Sequence, residues 1–102
     1  MIRFFESGQN GKSRIFTVSE NGGKAGEGAL ELDGNKIYIR FAARDEQTKD
    51  FLLRSLLNIC RNQPDKICVS ETKITQFGFT KQADGTYTVR TEEIELGGVC
   101  KP

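Results

Sequence analysis

The sequence predicts an α+β fold, with one amphipathic helix crossing over a largely antiparallel sheet. Three observations predict it. Apolar and polar residues alternate in short runs on both sides of the chain's middle, the period of half-buried strands. The runs are separated by Asn21-Gly22, Asp33-Gly34 and Asp84-Gly85, pairs that favour tight hairpin turns. The period changes to that of a helix once, where Leu52, Leu53, Leu56, Ile59 and Cys60 recur on one side.

Element by element, residues 2–6 read as a first strand, and Ser7-Gly8-Gln9-Asn10-Gly11-Lys12 as turn chemistry. Residues 14–19 are β-branched and aromatic, which suits a second strand, and Asn21-Gly22-Gly23-Lys24 closes a hairpin. Gly26-Glu27-Gly28 reads as a flexible turn before a short third strand at 28–32. Residues 36–41 set Ile37, Ile39 and Phe41 against Lys36, Tyr38 and Arg40, a strand with one apolar face. The helix covers about residues 46–62, capped by Asp45, with Glu46 at the positive end of its dipole and Gln63-Pro64-Asp65 at its end. A short apolar strand follows at 66–70, so the helix links two strands as a parallel crossover. Residues 77–80 and 86–89 flank a second hairpin, and residues 92–96 extend it. Residues 1–96 thus form one domain, and 97–102 a flexible tail.

Composition narrows the chemistry. A chain of 102 residues has no room for an enzyme of two lobes. Its 15 basic and 14 acidic residues leave a formal charge of +1, too little to hold polyanions, so nucleic acid is not an expected partner. Such binding would rest only on a face formed by Arg3, Arg14, Lys36 and Arg40. The absence of His removes the commonest general base and metal ligand. Cys60, Cys68 and Cys100 form no Cys-x-x-Cys pair, so no metal site is expected and reduced thiols of a cytoplasmic protein are. No apolar run has the length of a signal peptide core or a membrane span. Gly11-Lys12-Ser13 resembles the end of a phosphate-binding loop, but Glu6 stands where its first glycine belongs and a strand follows. Glu92, Glu93 and Glu95 suit a solvated edge strand.

The stretch from Ile37-Tyr38-Ile39-Arg40-Phe41 through Arg44-Asp45-Glu46-Gln47-Thr48-Lys49-Asp50 to Leu52-Leu53 and Leu56-Leu57 resembles the central motif of the GNAT superfamily of N-acetyltransferases. There an alternating strand leads into R/Q-x-x-G-x-G/A and then a helix with paired leucines. Arg44 falls at the motif's Arg and the leucine pairs at the helix leucines, while Gln47 and Lys49 occupy the glycine positions. Residues 19–30 resemble the preceding strands of that family, and Gln76-Phe77-Gly78-Phe79 with Gly85-Thr86-Tyr87 its final hairpin.

The resemblance implies a GNAT-like mixed sheet and acyl-CoA-dependent transfer of an acetyl group to an amine, with acetyl-CoA as cosubstrate. The backbone of Ile37 and Ile39 would then pair with the pantetheine arm, and Arg44, Gln47, Thr48, Lys49 and Asp50 would meet the phosphates at the helix tip. No catalytic residue is identified; Glu31 and Glu71 are the carboxylates nearest that strand. The departures are specific. Glycines that admit a pyrophosphate are replaced by side chains. Ile74 stands where the family often has a general-acid Tyr, and the short link 7–13 replaces two helices that shape the acceptor pocket. The alternative is a non-catalytic GNAT-like module that binds a protein partner or forms a homodimer through an exposed sheet edge.

Overall fold

The computed structural model describes residues 1–96, with one helix on a seven-stranded sheet. The strands are β1 (Ile2–Asn10), β2 (Ser13–Glu20), β3 (Gly23–Asp33), β4 (Lys36–Ala43), β5 (Ile67–Ser70), β6 (Thr80–Lys81) and β7 (Tyr87–Arg90), with α1 (Glu46–Cys60) between β4 and β5. Across the sheet the order is β1-β2-β3-β4-β5-β7-β6. Every neighbouring pair is antiparallel except β4 and β5, which α1 joins as a parallel crossover.

The hairpin turns form where positive φ is tolerated: Asn21 and Gly22 have φ of 55° and 87°, Gly34 64° and Gly85 92°. The first link is shorter than the sequence suggests. Ser7, Gly8, Gln9 and Asn10 continue β1 past a bulge between Glu6 and Gly8, and only Gly11-Lys12 turn. Pairing with β2 overrides the turn propensity of these residues. Gly26 and Gly28 are likewise inside β3, not in a turn. A Cβ on Gly28 would stand 2.8 Å from Leu56 Cδ1 and 3.2 Å from the Arg40 carbonyl, so the missing side chain lets α1 lie against the sheet.

α1 begins as expected, with the Asp45 side chain accepting from the Thr48 N–H. It ends at Cys60, two residues before the expected boundary, because Asn62 N–H turns back to the Ile59 carbonyl and Pro64 follows. Leu52, Leu53, Leu56, Leu57 and Cys60 face the sheet, where they meet Phe16, Val18, Leu30, Ile37, Ile39 and Cys68. After β5 the chain returns over the same core, burying Ile74, Phe77 and Phe79. Residues 92–96 do not extend the hairpin: Thr91–Glu93 is a 3-10 turn, in which the Glu92 carboxylate accepts from the Asp65 N–H. The expected tail, 97–102, lies outside the described residues.

The helix side of the sheet is covered and the other side is open. Tyr38 and Arg40 are exposed there, and a hollow of about 320 Å³ lies over the small side chains of Ala29 and Ala42. No helix among the described residues is long and apolar enough to cross a membrane.

Candidate functional site

The site expected from the sequence is the junction of β4, α1 and β5. β4 pairs with β5 from Lys36 opposite Ile67 to Ile39 opposite Ser70. β5 then ends while β4 runs on to Ala43. Ile37 and Ile39 lie inside the paired section, opposite Cys68 and Ser70, and both are buried. The length of β4 without a β5 partner is Arg40 to Ala43.

The five other candidates do not gather at one surface. Arg44, Gln47 and Thr48 line a hollow of about 470 Å³ with Met1, Glu20 and Phe51, on the β1–β2 side of the helix tip. Lys49 and Asp50 line another, of about 290 Å³, with Glu46, Lys73, Gln76 and Phe77, on the side facing the chain after β5. Thr48 is buried under the first turn, so it holds the tip in place and presents little to solvent.

Several polar groups at the tip are already partnered. Asp45 Oδ1 accepts the Thr48 N–H at 2.7 Å, and the Asp45 carbonyl accepts the Lys49 N–H at 2.9 Å. Hydrogen bonds from Thr48 hold the Asp45 carboxyl below its ordinary value of 3.8. The Arg44 guanidinium donates to Glu20 from β2 and, at 3.3 Å, to Asp45 Oδ2. Lys49 pairs with Glu46 at 3.1 Å and Arg54 with Asp50 at 2.8 Å. Around the tip, Glu20, Asp45, Glu46 and Asp50 therefore confront Arg44, Lys49, Arg54 and Lys73. Of these cations only Lys73 enters no ion pair among the described residues. An incoming pyrophosphate would meet the carboxylates of Asp45 and Glu46 beside the first-turn amides that a helix N-terminus offers.

Among the described residues, no acid–base pair forms beside this junction. Ile74, where the resemblance would put a Tyr, is 4% exposed and belongs to the core. Glu71 stands one residue past β5 and is exposed. Glu31 accepts the Ser13 hydroxyl at 3.2 Å on the hairpin side of the sheet. Among the described residues no group of three metal-binding side chains forms.

Nor do the four cations considered for nucleic acid share a face. Arg14 lines a small cavity with Leu30, Ile37 and Cys60 on the helix side, whereas Arg40 lines the hollow on the open side. Sequence reasoning missed Glu20, Lys73 and Gln76 at the tip. Glu20 is 24 residues from Arg44, and no local pattern announces a pair that exists only through strand packing. The chain matches no protein-family model and no curated protein.

Proposed function

We propose that this chain is a non-catalytic GNAT-like module that acts by binding a protein. The GNAT-like part is supported by the helix crossing over between two parallel strands, although β5 is paired with β4 along its whole length, Ile67 to Ser70, and no groove opens between the two. The non-catalytic part rests on one observation: the helix tip is occupied by the chain's own charges. Asp45 takes the Thr48 amide, and Arg44 is held by Glu20 and Asp45. To bind a diphosphate, the protein would have to break these contacts while leaving Asp45 and Glu46 beside the incoming charge, a repulsion that among the described residues around the tip only Lys73 is free to offset. The protein-binding part is supported by the uncovered sheet face and the bare β1 edge.

Titration calorimetry with acetyl-CoA tests this role. No saturable heat is expected up to millimolar ligand, with no shift of the thermal unfolding midpoint. Saturable binding that Arg44→Glu abolishes would overturn it and establish the second reading, acetyl-CoA-dependent transfer to an amine. That reading is favoured by the stretch of β4 from Arg40 to Ala43, which has β3 on one side but no β5 on the other, and by the exposure of Glu46 and Gln47.

A further inference from the structure

The two edges of the sheet are unlike. β6 is two residues long and carries Lys81, features that discourage another strand from adding to it. β1 is nine residues long, has neither Pro nor Lys, and is exposed throughout except at Phe4. Its outer side is a row of backbone N–H and C=O groups with no strand of the described residues beside them. Ile2 and Phe5 are 41% and 38% exposed along it. Such an edge is a template for an extended chain, because the missing hydrogen bonds are those a strand supplies.

We propose that the strand this edge accepts is the β1 of a second copy, paired antiparallel about a two-fold axis at Phe4. The inference rests on the binding-module role and names its partner. Charge argues for a copy over an acidic or basic peptide. β1 holds one cation and one anion, and neither is free: Glu6 is bonded to Arg14 at 3.0 Å, and the Arg3 guanidinium lies 5.5 Å from the centre of the Phe5 ring.

Geometry then fixes the register. Residues opposite each other across an antiparallel two-fold share a face, so the axis passes at a residue. An axis at Arg3 or Glu6 sets like charges against each other. An axis at Phe4 uses residues 2–6, the whole regular stretch before the bulge. It places Arg3 opposite the second copy's Phe5 twice over, repeating across the interface a cation–ring contact each chain already makes. It also brings the two Phe4 rings together, each already stacked on its own Phe16 with ring centroids 5.3 Å apart.

Sedimentation equilibrium gives the first test. The average mass should rise with concentration from 11.4 kDa towards twice that value. Phe5→Lys should hold it at the monomer mass, with an unchanged circular dichroism spectrum. Disulfide trapping tests the register, in a Cys100→Ser background that leaves only the buried Cys60 and Cys68 beside the introduced thiols. A mixture of Arg3→Cys and Phe5→Cys chains should cross-link to each other in preference to either with itself. Phe5→Cys chains that link only to themselves, or a monomer at every concentration, would overturn the proposal. If the monomer also gives no heat with acetyl-CoA, self-pairing alone has failed; heat with acetyl-CoA removes the binding-module role whatever the mass.

Discussion

Arg44 is joined to two carboxylates, Glu20 from β2 and its neighbour Asp45. Exposed pairs of this kind add little stability. Their consequence is positional, since the Arg44 guanidinium is held by the chain's own carboxylates. A thiol at the other end of the same helix is more sensitive to its surroundings. Cys60 is fully buried and shares the core with Cys68; the neighbouring Cys68 thiol and then burial push Cys60 up from its ordinary value of 9.0. The folded thiol therefore keeps its proton at pH values where the unfolded thiol loses it. Above pH 9 the unfolded state binds fewer protons, so this group's contribution to stability is present below that pH and is lost as pH rises. Urea unfolding should give a lower midpoint at pH 10 than at pH 7.5. In Cys60→Ala that drop should shrink, even though the variant is less stable at both pH values. An unchanged drop would show that the buried thiol does not contribute to the alkaline loss.

At the scale of elements, α1 against β3 and β4 is the contact on which the core depends, and Gly28 is its closest point. Gly28→Ala would force the Leu56 methyl and the Arg40 carbonyl to give way. Overpacking of this kind costs about 1–3 kcal/mol, against roughly 0.5–1 kcal/mol recovered by replacing a strand glycine. A net loss of up to about 2.5 kcal/mol is expected, read as a lower urea midpoint with unchanged slope. Gly8→Ala, with nothing within 4 Å of the added carbon, should leave the midpoint unchanged or raise it. The same pair of glycines shows what was legible in the sequence. The helix, its Asp45 cap and the hairpin turns were readable because each depends on residues close together in the chain. β1 beyond Glu6 and β3 before Gly28 were not. Their glycines and polar residues signal turns locally, and only pairing with β2, or the approach of α1, explains them as strands. The helix tip was half legible: the cap belongs to a local pattern, whereas Glu20 reaches Arg44 only because β2 and β4 both pair with β3.

The sheet is covered on one face, and this sets how stability is distributed over the molecule. β3 and β4 have a strand on each side and α1 above them, so exposing their amides requires loss of the core. β1 is bonded on one side only, and β6 is a two-residue strand at the far edge. Hydrogen exchange in dilute solution should therefore rank β3 and β4 as most protected, β1 below them and β6 lowest. Concentration adds a second, sharper expectation. If two copies pair through residues 2–6, the outward amides of that stretch should gain protection as the dimer forms. Gln9 and Asn10, beyond the bulge, should exchange at the same rate in both samples, as should the amides of β6. Equal gains along all of β1 would point to a contact that ignores the bulge, and gains in β6 alone would move the interface to the other edge. The prediction thus reads the register from the backbone, independently of the side chains altered in the cross-linking experiment.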